Sequence, residues 1–267
     1  MNSKKLSHRV RKIIIEIVYK AQASHIGSAL SIIDILSVLY TNILNVFPDE
    51  PEHPSRDRFI LSKGHACVGV YTVLSECGFF DKKMLSTYGE NNSILMHHIS
   101  HKVPGVEFST GSLGHGLPFG VGKSLAAKKR DETWTTYVLM SDGEMQEGSN
   151  WEALIFATHH KLDNLIAIID YNNLQSLSTV DDTLSIRPLN DKLESFGWHV
   201  LEVDGHDHNA LKECFEEAGL VKNKPISIIA NTIKGKGVSF MENKVEWHYK
   251  SLTEEEFLKA IRELEYA

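Results

Sequence analysis

Two oxygen-bearing side chains, Asp142 and Asn172, stand thirty residues apart in a stretch that reads as one βαβ unit. Tyr137-Val-Leu-Met140 and Leu165-Ile-Ala-Ile-Ile169 are short, apolar and partly β-branched, the pattern of buried parallel strands. Between them, Trp151, Leu154, Ile155 and Leu162 recur at helical spacing. Both Asp142 and Asn172 would then emerge beyond the carboxyl ends of strands, where open α/β sheets hold ligands. A carboxylate and an amide oxygen suit Mg²⁺, which takes few protein ligands and completes its shell with phosphate oxygens and water. An Asp-Gly pair alone is only a turn. With a strand before it, a crossover helix after it and Asn172 at the next strand end, Ser141-Asp-Gly-Glu-Met-Gln-Glu-Gly148 is expected to grip a magnesium-diphosphate.

Other loops offer chemistry to the same edge. Ser109-Thr-Gly-Ser-Leu-Gly-His-Gly116 precedes a helix, whose free backbone N–H groups favour anions. Ser24-His25-Ile26-Gly27-Ser28, Ser62-Lys63-Gly64-His65, the pair His97-His98 and Trp247-His248-Tyr249 place histidines in separate loops. A single loop histidine is ordinarily a solvated or capping residue. Several near strand ends form a set of imidazoles able to donate, accept and shuttle protons near neutral pH.

The elements that must position these loops alternate between helix and strand, which predicts an α/β protein with a mostly parallel sheet and helices on both faces. Helices are expected over Leu6–Ala23, Ser31–Leu44, Gly64–Cys77, Gly114–Lys129, Asn150–Leu162, Asn209–Gly219 and Thr253–Leu264. Further strands are expected over Arg58–Leu61, Trp198–Val203 and Pro225–Asn231. Asn91–Ser109, Leu177–Asp191 and Lys234–Val238 read as loops. No repeat or linker divides the chain, so residues 1–267 are expected to form one domain. The 42% hydrophobic and 24% charged content is that of an ordinary globular protein. A net charge of −7 argues against a nucleic-acid surface. No apolar run approaches the ~20 residues that span a bilayer. The amino terminus lacks a signal-peptide pattern, and Cys67, Cys77 and Cys214 are odd in number and scattered. A cytoplasmic location is the expectation.

Asp142-Gly with Asn172 is similar to the thiamine-diphosphate motif, in which Gly-Asp-Gly is followed about thirty residues later by Asn. Here the first position is Ser141, whose Cβ could crowd the diphosphate or restrict the turn. Beyond this motif, nearly the whole chain resembles the amino-terminal half of a transketolase. The matching stretches include Ser24-His25-Ile26-Gly27-Ser28, Leu61-Ser-Lys-Gly-His65, Pro104–Gly114, Asp142–Gly148 with Trp151-Glu-Ala153, and Asp170-Tyr-Asn172. They continue through Phe196-Gly-Trp-His199, Val203-Asp-Gly-His206 and Lys234-Gly-Lys-Gly237 to His248. Ile26 stands where the family usually has proline.

The resemblance implies a thiamine-diphosphate-binding fold of the diphosphate (PP) type. It implies that Asp142, Asn172 and the Leu174 carbonyl hold Mg²⁺, or another divalent cation such as Ca²⁺. His65, Gly111, Leu113, Asp142, Gly143 and Asn172 would contact thiamine diphosphate. His25, His97 and His248 would face the sugar as catalytic residues, and Glu147 would be an acid at the subunit interface. In this family the glutamate and aromatic residues facing the aminopyrimidine ring lie in a second domain, and no stretch here matches it. The expectation is a split transketolase of α2β2 form, with a separate subunit carrying the pyrimidine-binding domain, that moves a two-carbon ketol unit between sugar phosphates. The alternatives are a thiamine-dependent synthase acting on pyruvate plus an aldehyde, and a non-catalytic regulatory subunit.

Overall fold

A computed structural model describes residues 2–265. Five strands form one wholly parallel sheet: β1 (Arg58–Leu61), β2 (Thr136–Ser141), β3 (Leu165–Tyr171), β4 (His199–Asp204) and β5 (Ile226–Asn231), in the order β1-β2-β3-β5-β4. Residues alternate faces along each strand. Tyr137, Leu139, Ile166, Ile168, Ile226 and Ile228 therefore enter one apolar layer, and Val138, Met140, Ala167, Ile169 and Ile229 the other.

Crossover handedness assigns the helices to these two layers. From β1 to β2, β3 and β4 the chain moves across the sheet in one direction. Right-handed connections then place α5 (Gly116–Lys129), α6 (Gly148–His159) and α8 (Leu189–Ser195) on one face. The step from β4 back to β5 reverses direction, so α9 (His208–Leu220) lies on the opposite face. It shares that layer with α1 (Ser3–Ala21), α2 (Ile26–Leu30), α3 (Ile33–Val38) and α4 (Cys67–Glu76). Among the described residues, no helix is long and apolar enough to cross a membrane.

Two expected elements differ. The segment Ser31–Leu44 is not one helix: the chain turns at Ser31 and Ile32 between α2 and α3, and Leu39–Ile43 winds into a wider π turn. The break falls at Ser31, whose hydroxyl lies within hydrogen-bond reach of both the Ser28 carbonyl of α2 (3.1 Å) and Asp170 (2.7 Å). Leu177–Asp191 is not wholly loop, for it contains α7 (Val180–Leu184) and the start of α8. Its signal is a cap rather than an apolar stripe: Thr179 Oγ1 accepts from the Asp182 N–H at 3.0 Å.

Helix α5 lies close enough to β2 that a Cβ added at Gly120 would stand 2.5 Å from Val138 Cγ2, whereas one at Gly122 would meet nothing within 4 Å. Gly120→Ala is therefore expected to cost about 1–3 kcal/mol through overpacking. Gly122→Ala should stabilise by about 0.5–1 kcal/mol through helix propensity. Denaturant unfolding of the two variants checks the contrast, and equal effects would contradict the packing.

Candidate active site

At the carboxyl edge of β2 and β3 the pairing Ser141↔Asp170 continues into a hydrogen bond from Asp142 N to the Asp170 carbonyl (3.3 Å). The two strand ends are thereby fixed side by side. Asp142 is 1% exposed. Its Oδ1 accepts from Gly143 N (2.7 Å) and its Oδ2 from Asn173 N (2.5 Å). Asn173 adopts a left-handed backbone (φ 61°), which turns the chain after Asn172. Asn172 donates Nδ2 to Asp170 (2.9 Å) and accepts at Oδ1 from Leu174 N (3.0 Å).

These groups line a cavity of about 260 Å³ with Gly143, Leu174, Leu113, Ser28, Gln175, Lys63, Lys234, His25, His65, His98 and His248. Sequence reasoning missed the two lysines. Lys63 donates to Asp170 (2.5 Å) and to the Ser28 carbonyl (3.0 Å). Lys234 donates to the carbonyls of Leu174 (3.2 Å) and Gln175 (3.1 Å) and lies 2.9 Å from His248 Nδ1. Burial, then the charge of Lys63, lowers the Lys234 ammonium to about 8. A charged residue closing an apolar strand run, as Asp170 does, was the available signal for this network.

The imidazoles converge. His25 lies 5.1 Å from both His65 and His248, and 5.9 Å from His98, between ring centroids. His25 itself has φ 69°, and its N–H donates to the His248 carbonyl (2.8 Å), so backbone joins the two loops. Burial is the leading cause that lowers His25 to about 4 and His248 to about 3. Burial also depresses His65 and His98. All four rings are held in the neutral form, able to accept at one nitrogen and donate at the other.

His97 and His98 are both exposed and differ in what they face. The His97 ring packs 5.0 Å from that of Tyr88 and covers Gly89, whereas His98 lines the cavity. In an irregular loop the sequence offers no period to say which of two adjacent histidines faces inward. Gly111 stands on the rim beside His98. Glu147 lies outside the cavity, exposed at the start of α6. Ile26 is buried at the first position of α2, where proline is also favoured, so that exchange keeps the helix start.

The donor set fits a divalent cation with a diphosphate. Burial, then the charge of Asp170, raises the Asp142 carboxyl to about 7. Asp142, the Asn172 amide oxygen and the Leu174 carbonyl supply only oxygen, and Lys63 and Lys234 bring ammonium groups to the same cavity.

This is a polar site at the strand ends of an α/β sheet, ringed by neutral histidines. Residues 2–266 match the family model described as transketolase, thiamine diphosphate binding domain. The chain is 44% identical to one subunit of the apulose-4-phosphate transketolase of Phocaeicola vulgatus, covering 97% of this chain and 92% of that protein. It is 39% identical to a 6-deoxy-6-sulfo-D-fructose transketolase subunit of Clostridium sp., over 96% of this chain and 94% of that one. The crystal structure of transketolase from Campylobacter jejuni superposes with a TM-score of 0.93 at 32% identity, covering 99% of this chain and 43% of that one. The chain belongs to the transketolase family, in its thiamine diphosphate-binding domain. It is a transferase subunit of the ketol-transfer type, and these relatives give no support to the pyruvate-synthase or regulatory alternatives.

Two outcomes test this geometry. His98→Ala should lower kcat/KM by about 10²-fold or more, while His97→Ala should stay within about threefold; steady-state kinetics decides, and the reverse order would assign the sugar contact to His97. A carboxyl raised from 3.8 to about 7 favours folding while protonated, and that contribution is lost as pH rises through 7. Without cation, the melting temperature of Asp142→Asn relative to wild type should therefore climb between pH 4 and 8, and saturating Mg²⁺ with thiamine diphosphate should reverse the trend. A flat difference would show that Asp142 is not strained by burial.

Proposed function

We propose that this chain is the diphosphate-binding subunit of a split, cytoplasmic transketolase. It moves a two-carbon ketol unit from a ketose phosphate to an aldose or aldose phosphate acceptor. The observation that carries this is the single cavity joining Asp142, Asn172, Leu174 and Gly143 to His25, His65, His98 and His248. Asp142, Asn172 and the Leu174 carbonyl would hold Mg²⁺ or a similar divalent cation. Gly143, His65, Leu113 and Gly111 would lie against the cofactor. Thiamine diphosphate, when bound, supplies a carbanion centre that accepts and passes on the ketol unit. His25, His98 and His248 orient the sugar and exchange protons with its hydroxyls; His248, whose Nδ1 accepts from the Lys234 ammonium, presents Nε2 as a donor.

Relatives named as single subunits of a transketolase, each nearly the length of this chain, support a second chain carrying the pyrimidine-binding domain. Self-association to α2β2 finds support in α6, whose outer side leaves Glu147, Ile155 and Phe156 exposed; Ile155 is 60% and Phe156 44% exposed. Glu147 would become buried there. The names of the relatives place a phosphate or a sulfonate on the sugar, which supports an anionic sugar as substrate here.

The test combines this chain with its copurifying partner, thiamine diphosphate, Mg²⁺ and a ketose phosphate labelled at C1 and C2. Label should appear in an acceptor lengthened by two carbons, and neither chain alone should turn over. Transfer by this chain alone would sink the two-chain reading, and CO2 release from pyruvate would point to the synthase.

A further inference from the structure

Glu144 takes no part in the chemistry above, yet its carboxylate is wholly buried (0% exposed). Oε1 accepts from Ser62 Oγ (2.5 Å) and from Gly114 N (2.8 Å), and Oε2 accepts from Ser141 N (3.3 Å). In return, Glu144 N donates to Ser141 Oγ (3.3 Å). Ser141-Asp-Gly-Glu144 thus closes the reciprocal bonds of a capping box around the short 3₁₀ turn Gly143–Gln146. The two residues that bracket Asp142 and Gly143 hold each other.

The network reaches further. Ser62 Oγ, which follows β1, also accepts from Gly116 N (3.0 Å). Ser149 Oγ donates to the Gly114 carbonyl (2.6 Å), and Asn150 Nδ2 donates to the Glu144 carbonyl (2.7 Å). One carboxylate therefore ties the end of β1 and the glycine loop before α5 to the turn after β2. Three donors converge on it, and only a carboxylate offers acceptors on both oxygens with no hydrogen of its own. A glutamine would turn an N–H against at least one of them. Close approach explains the glycines: a Cβ at Gly116 would overlap Ser62 Oγ, and one at Gly114 would lie 2.7 Å from Glu147 Cβ.

We propose that Glu144, paired with Ser141, is a positioning residue for the diphosphate grip, fixing the Asp142–Gly143 backbone against the Leu113–Gly116 loop. Ser141 then preserves the grip rather than crowding it. It ends β2 in extended backbone that any residue adopts, and its hydroxyl faces Glu144 N. Glycine at this position would lose the hydroxyl half of the box. The inference rests on the thiamine diphosphate reading of the cavity.

The assembled enzyme, this chain with its partner, is titrated calorimetrically with thiamine diphosphate at saturating Mg²⁺, and each variant is melted without cofactor in parallel. Glu144→Gln should weaken binding about tenfold, as expected when a hydrogen bond to a buried charge is lost. Ser141→Ala and Ser141→Gly should each weaken it about three- to fivefold. The double variant Ser141→Ala/Glu144→Gln should bind no more weakly than Glu144→Gln alone, because both changes break one shared box. At saturating cofactor, KM for the donor sugar should stay unchanged. Tighter binding by Ser141→Gly would overturn the proposal, since the serine would then be crowding the ligand. A lower melting temperature for Glu144→Gln with unchanged affinity would also overturn it, leaving a packing role alone. Should Glu144→Gln fail to fold, the two variants at half-buried Ser141 carry the same decision. Absence of binding by the wild-type enzyme would remove the thiamine reading and this inference together. That result differs from wild-type binding that the variants leave untouched.

Discussion

A buried ion pair between Lys63 and Asp170 holds the catalytic edge together. Lys63 is 1% exposed and the Asp170 side chain 0%, with 2.5 Å between nitrogen and oxygen. Taking both charges out of water costs several kcal/mol per ion, repaid only where geometry is good and the remaining acceptor sites are filled. Here they are filled: Asp170 also accepts from Ser31, Asn172 and Thr232. Those partners come from the α2–α3 turn, the strand end after β3 and the segment after β5, and Lys63 follows β1. Losing one partner of such a pair costs about 3–5 kcal/mol, whereas replacing both by apolar groups can be neutral. The fold could therefore do without the charges. What the pair sets is position: four loops that share nothing in sequence are drawn to one carboxylate.

A second cluster acts likewise behind the site. Arg11 makes two hydrogen bonds to Asp34 (2.9 and 2.6 Å), and His206 and His208 bond the same carboxylate at 2.8 and 3.0 Å. His206 Nε2 accepts from Ile233 N (2.8 Å), and Arg11 Nε donates to the Lys236 carbonyl (3.2 Å). The segment that carries Lys234 is thus gripped on both sides. Because Nε2 of His206 is an acceptor, its proton sits on Nδ1 and points to Asp34. The buried carboxylate is satisfied by donors from α1, the β4–α9 turn and the start of α9.

The layers of the fold were legible because burial writes itself as periodicity. The runs at β2 and β3 are apolar on both faces, as a parallel sheet covered by helices requires, and strand-end geometry then brought Asp142 and Asn172 together. Less legible was anything settled by one hydrogen bond. The break at Ser31 stands beside a hydrogen bond to Asp170, far along the chain, and leaves no local mark, so the apolar stripe through Ile32, Ile33 and Leu36 still reads as one helix. The choice between His97 and His98 depends on how an irregular loop packs over Gly89. Lys63 and Lys234 look like ordinary loop cations until the fold buries them. Ser141 reads as a departure from a glycine motif until Glu144 is seen to answer it.

The charges in the cavity suit the proposed occupant. Asp170 is neutralised by Lys63, and the histidines are held neutral, so they contribute no net charge. Asp142 remains with its acid raised by burial, and Lys234 remains with its ammonium lowered by burial. A polyanion entering alone would meet one cation and press against a carboxylate. A divalent cation entering alone would meet that carboxylate but also the ammonium already on the Leu174 carbonyl. On the proposed reading, a metal-bound diphosphate would answer both: the cation would face Asp142 and the anion would enter beside Lys234.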